Sequence, residues 1–202
     1  MKRMLIVSLI LIMNATLPDA SMSQQNNLQP VKVVMFGNSI THGGDWARLL
    51  DRQDVTNWGI PGYLTGQLLW TIKDVLQQHP GTGIWFLEGG INDIYLGMPV
   101  RQIYENYRVM VDSLRNNGII PVVQSTILKR GAPGDNKKVV RLNRLVKKWC
   151  SKNEVDYIDL NAFLSAGGEL REEYSVDGCH LKPAAYLPWA TAVKEVLRKN
   201  GF

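Results

Sequence analysis

Five residues of this 202-residue chain have types and settings suited to acyl-transfer chemistry: Ser39 in GNSIT, Gly59 in NWGIPG, Asn92 in GGIND, and Asp177 and His180 in DGCHL. A serine hydroxyl is a weak nucleophile and needs a base within hydrogen-bond reach. His180 is the candidate base. Asp177, three residues earlier, can fold back on a tight turn and accept the proton of the second ring nitrogen, which favours the imidazolium formed during attack. The developing oxyanion needs donors as well. The backbone N–H groups of Ser39 and Gly59 and the side-chain amide of Asn92 are expected to supply them, glycine permitting close backbone approach.

Each motif alone has a plainer reading. Serine after glycine-asparagine is a common cap or turn residue, glycine pairs before Asn-Asp are ordinary turn chemistry, and Asp-x-x-His is frequent. Their positions change the odds. VKVVMF (31–36), VTNWG (55–59), GIWFLEGG (83–90), IIPVVQST (119–126) and VDYIDL (155–160) read as five strands. Between them lie helical patterns: a short one in GDWARLLDR, one over 65–78 through Leu68, Leu69, Ile72, Val75 and Leu76, and one over 100–117. A basic helix spans 136–149, with Val139, Leu142, Val146 and Trp149 on one side and Lys137, Arg141, Arg144 and Lys148 on the other. A last helix turns Tyr186, Trp189, Ala190, Val193 and Leu197 inward, with Pro188 expected to delay its start. Trp70, Trp149 and Trp189 all read as core.

Alternating strands and helices imply a parallel sheet covered on both faces, and such sheets bind ligands beyond the carboxyl ends of their strands. The motifs of Ser39, Gly59 and Asn92 fall at three such ends. Asp177 and His180 lie beyond the fifth strand, before the last helix. Convergence on one edge of the sheet is the argument; no single motif carries it.

The rest of the chain sets bounds. With 45% hydrophobic and 20% charged residues the composition is that of one globular domain. Lys2 and Arg3 precede the apolar run LIVSLILIM, the layout of an export leader over 1–23, with cleavage after Ser23. The run is too short for a stable membrane anchor. A polar linker (24–30) then leads into a domain at 31–202, and export to the periplasm or the exterior is expected. The formal charge of +5 falls to +4 without Lys2, Arg3 and Asp19, too mild to argue for nucleic acid. His42, His79 and His180 have no ligand spacing, so no metal is expected. Cys150 and Cys179 read as free thiols. The serine lacks the second glycine of G-x-S-x-G, which disfavours a conventional α/β-hydrolase.

The set Ser39, Gly59, Asn92 and His180, in this order, resembles the SGNH hydrolases, the GDSL-type esterase and lipase superfamily. Asn38 departs from it, standing where that family often has aspartate. GNSIT and GGIND look like a bacterial subgroup that includes carbohydrate and sialate O-acetylesterases. NWGIPGYLTGQLLW is similar to the second block of the platelet-activating-factor acetylhydrolase-like branch. The resemblance implies a three-layer α/β/α, flavodoxin-like fold with a five-stranded parallel sheet in the order 2-1-3-4-5. It also implies a two-step serine mechanism with no cofactor. The expected partner is a small acylated substrate, an O-acetylated carbohydrate first. Alternatives are a lysophospholipase or thioesterase acting on lipid acyl groups, or a non-catalytic carbohydrate-binding module.

Overall fold

The computed structural model describes residues 30–202. The expected leader, and all of the linker but Pro30, lie outside the described residues.

In chain order the elements are β1 (Val33–Gly37), α1 (Ser39–His42), α2 (Trp46–Leu50), β2 (Val55–Gly59), α3 (Thr65–Gln78), β3 (Ile84–Leu87), α4 (Ile91–Tyr95) and α5 (Val100–Asn116). There follow β4 (Ile120–Gln124), α6 (Pro133–Lys152), β5 (Asp156–Ile158), α7 (Asn161–Leu164), the short strands β6 (Ser165–Ala166) and β7 (Glu169–Leu170), a 3-10 turn (Glu172–Tyr174) and α8 (Pro183–Lys199). The five main strands form one parallel sheet in the order β2-β1-β3-β4-β5, the flavodoxin-like arrangement expected.

Every residue of β1 and β3 is buried, because helices cover the sheet on both sides. α3, α5 and α6 pack in one layer and α2 and α8 in the other. Ile72 and Val75 of α3, Ile103, Met110 and Leu114 of α5, and Val139, Leu142 and Val146 of α6 face the core. The four basic residues at 137, 141, 144 and 148 are exposed, since a 3.6-residue period puts them opposite the apolar stripe.

Two expectations are corrected here. Trp70 is not core but 79% exposed. Leu68 and Ile72 bury the neighbouring face of α3, and a residue two places from Leu68 lies about 200° round the helix, on the outside. Pro188 does not delay α8, which already starts at Pro183. Proline at a first helical position loses nothing by lacking an N–H. Pro188 then removes one bond within a helix held by Tyr186 and Trp189. Both of these pack against the buried Trp46, the Trp46 and Trp189 ring centroids lying 4.9 Å apart. The β6–β7 hairpin, too short for a periodic signal, was not anticipated.

Candidate active site

Parallel register brings the ends of β2, β1 and β3 side by side. Gly37 pairs with Gly59 across β1–β2, and Phe36 with Leu87 across β1–β3. Ser39, two residues past β1, therefore lies between the loops carrying Gly59 and Asn92. Asn38 is the cap of α1: its extended backbone ends the strand and its side-chain oxygen accepts the Ile40 N–H at 2.8 Å. Ser39 opens that helix, so its own N–H has no intrahelical acceptor.

His180 arrives from the loop before α8. Its Nε2 lies 3.0 Å from Ser39 Oγ and its Nδ1 2.7 Å from Asp177 Oδ2. Because the carboxylate can only accept, Nδ1 carries the ring proton and Nε2 offers its lone pair to the serine hydroxyl. The other oxygen of Asp177 accepts the backbone N–H groups of Cys179 (2.9 Å) and His180 (2.8 Å). The His180 ring contact and these two N–H donors hold the Asp177 carboxyl well below the usual carboxylate range. Gly178 makes the turn possible with a φ of 91°, and its carbonyl accepts the Arg130 N–H at 2.7 Å. Arg130 is itself braced by Glu169 of β7 and by Glu172 (3.2 and 2.8 Å), which gives the unanticipated hairpin a place beside the site.

Gly59 packs directly on the Ser39 helix. A Cβ there would overlap the His42 backbone and approach the Asn38 carbonyl oxygen to 2.8 Å, so only glycine fits. Its N–H, expected as an oxyanion donor, is instead donated to the Asn57 side-chain oxygen at 2.9 Å. The Asn57 amide in turn donates to the carbonyls of His42 and Gly44, both at 3.0 Å. Asn92, second in α4, donates one amide hydrogen to the Tyr63 carbonyl at 3.0 Å and keeps a second. The structure thus joins Ser39, His180 and Asp177 in one hydrogen-bonded chain. It sets Gly59 at the end of β2 and Asn92 at the start of α4, on either side, with Gly59 N–H and one Asn92 hydrogen engaged internally.

Two buried carboxyls, Asp93 and Glu88, brace the elements around the site. Asp93 accepts the Thr65 N–H (3.0 and 3.2 Å) and hydroxyl (2.6 Å), fastening the start of α3 to α4. Glu88, just past β3, lies under α1 and accepts the Thr41 hydroxyl at 3.1 Å. The signal for Glu88 was visible: it is one acidic residue in an otherwise apolar strand run, IWFLEGG. Among the aromatics near the loops, Trp46 is core and donates to the Thr41 carbonyl, whereas Tyr95 is exposed. Cys150 and Cys179 are both free, and burial pushes the Cys179 thiol up to about 11, the wrong direction for a reactive thiolate. No group of three or more metal-ligating side chains gathers among the described residues.

Residues 35–187 match the model of the GDSL-like lipase/acylhydrolase family. Solved structures share the fold. A GDSL-like lipase from Bacteroides thetaiotaomicron superposes with a TM-score of 0.77 at 20% identity, over 84% of this chain and 88% of that one. An acetyl xylan esterase (TM-score 0.71, 18% identity, 83% and 100% covered) and the aryl esterase of M. smegmatis (0.69, 19%, 84% and 99%) are similar too. Among curated proteins, an N-acylneuraminate cytidylyltransferase of Streptococcus agalactiae is 26% identical over 103 residues, half of this chain. The match takes in 24% of that relative, so the chain spans about a quarter of its length.

Proposed function

The chain belongs to the GDSL-like lipase/acylhydrolase family, and from that premise we propose that it is a serine esterase that removes acetyl groups from O-acetylated carbohydrates, O-acetylated sialic acid foremost. The hydrogen-bonded chain Ser39–His180–Asp177 is the observation that carries the esterase reading. Ser39 Oγ attacks the ester carbonyl as His180 Nε2 takes its proton, and the Asp177 carboxylate steadies the imidazolium. The oxyanion is met by the Ser39 N–H and the second amide hydrogen of Asn92. The Gly59 N–H, engaged by the Asn57 side chain, is not counted among them. His180 then protonates the departing alcohol. Water, deprotonated by the same nitrogen, frees the acid and restores the serine.

Two features support the sugar. Half of the chain is similar to part of a protein named for an N-acylneuraminate reaction. His180 and Asp177 are each about half exposed, a rim open to a bulky polar alcohol. The leader expected at 1–23 fits an enzyme that meets such glycans outside the cytoplasm.

A second reading, hydrolysis of longer acyl esters, is favoured by one observation. A groove of about 490 Å³ runs between α2 and the start of α8, and includes Leu49, Leu181 and Leu187. Leu181 follows His180 directly. Rates on p-nitrophenyl acetate and octanoate, and on O-acetylated sialic acid, xylan and pectin fragments, separate the two. Acetate and sialic acid are expected to lead. Octanoate leading would reverse the choice, and no hydrolysis of any ester would remove the esterase reading.

A further inference from the structure

Glu88 is 1% exposed, and its other carboxyl oxygen, Oε1, has no hydrogen-bond partner. The Nδ2 of Asn38, the residue before the nucleophile, is likewise buried and unpartnered. The Glu88 N–H donates to the Phe36 carbonyl at 2.9 Å and its carboxyl accepts the Thr41 hydroxyl at 3.1 Å, so the residue sits beside the turn that carries Asn38, whose amides bias the carboxyl towards ionisation. The orientation of Asn38 is not free. Its Oδ1 is committed to Ile40 N–H, so Nδ2 must be the atom turned to the carboxyl.

We propose that Glu88 is a positioning residue: its carboxyl holds α1 from beneath by accepting the Thr41 hydroxyl on Oε2, while Oε1 and the Asn38 Nδ2 are the matching buried acceptor and donor on the other side of Ser39, and so it fixes where Ser39 stands against His180. The clamp holds the one-turn helix at both ends, one residue before Ser39 and two after it. A buried donor or acceptor left without a partner is costly, so the pairing selects strongly for its own geometry. It also accounts for asparagine at 38. A carboxylate there would face Glu88, with the buried Asp93, Tyr107 from α5, Tyr186 from α8 and Cys179 also within electrostatic reach.

Donor and acceptor can be exchanged, and that provides the test. Assayed at pH 8, where Glu88 is ionised, Asn38→Asp opposes two carboxylates. Glu88→Gln either opposes two amides or strands the Thr41 hydroxyl. The double variant restores one donor facing one acceptor, with the Ile40 cap and the Thr41 bond kept. The inference rests on Ser39 being the nucleophile, so turnover of p-nitrophenyl acetate is read beside thermal melting. Each single variant is expected to lose about tenfold or more in kcat with KM within about threefold, and the double variant to return to within about threefold of wild type. Thr41→Val, which removes one donor only, is expected to show a smaller loss in kcat. A double variant whose loss equals the product of the singles, or a Glu88→Gln variant with wild-type kcat, overturns the clamp. If the wild type hydrolyses no ester, the enzyme reading fails on its own. The same cycle then decides the pairing by melting temperature: recovery in the double variant supports it, and additive losses overturn it.

Discussion

Asp177 holds His180 at two points, taking the ring Nδ1–H on Oδ2 at 2.7 Å and the backbone N–H of the same residue on Oδ1 at 2.8 Å. One carboxylate thus sets both the turn and the ring's tautomer. Asp177→Asn keeps an oxygen for the backbone but presents an amide to Nδ1, which moves the ring proton to the nitrogen that must act as base. We expect kcat/KM for p-nitrophenyl acetate to fall by about 10²–10⁴ with little change in melting temperature. Retention of wild-type turnover would show that the ring is oriented by something else.

Ser39→Ala removes the nucleophile at a partly buried position whose partner, His180, is about half exposed, so no buried partner is stranded. Hydrolysis is expected to drop by at least about 10³ while the folded circular dichroism spectrum and melting point persist. Equal rates for the two proteins would exclude Ser39.

Asn92→Ala deletes the amide that we assign to the oxyanion and that ties the loop at Tyr63. Loss of one oxyanion donor typically lowers kcat by about 10²–10³. Steady-state kinetics with unchanged turnover would displace Asn92 from the oxyanion site.

Gly59→Ala tests packing rather than chemistry. The added methyl meets the His42 backbone, which cannot rotate away as a side chain would. Destabilisation of about 3 kcal/mol or more is expected in urea unfolding. A soluble, wild-type-stable variant would mean that β2 and α1 are less closely joined.

Glu88 links stability to pH. Burial pushes its carboxyl up from 4.5 to about 7, against the Thr41 hydroxyl and the Asn38 amides. Between those values the folded protein keeps a proton that the unfolded chain has released. The contribution is therefore fully present below about 4.5 and is lost as pH rises through about 7, a swing on the order of 3 kcal/mol. Urea unfolding at pH 5 and pH 8 should show a larger fall in stability for wild type than for Glu88→Gln. Asp93, Tyr107, Tyr186 and Cys179 are common to both proteins, so the difference isolates Glu88. Equal falls would place the titration elsewhere.

Much of this molecule was legible in the chain. Apolar runs of strand length alternating with 3.6-residue periods are local signals, and they carried the parallel sheet, the helices and the ends at which Ser39, Gly59 and Asn92 sit. The order of the motifs pointed to the nucleophile and base before any distance was known. What stayed hidden depends on contacts across the chain. Trp70 shares a helix with core residues, yet its exposure follows from which face of α3 meets the sheet. Pro188 lies inside a helix because Trp46 packs on Tyr186 and Trp189 from a distant segment. The bonds from the Asn57 amide to the His42 and Gly44 carbonyls, and from the Thr41 hydroxyl to Glu88, join residues 13 to 47 places apart and belong to no local pattern. Residue type and spacing determine which groups can react and which surfaces must be buried. Only the packed tertiary structure decides which donor faces which acceptor, because hydrogen bonds act within about 3 Å and that proximity is created by the fold.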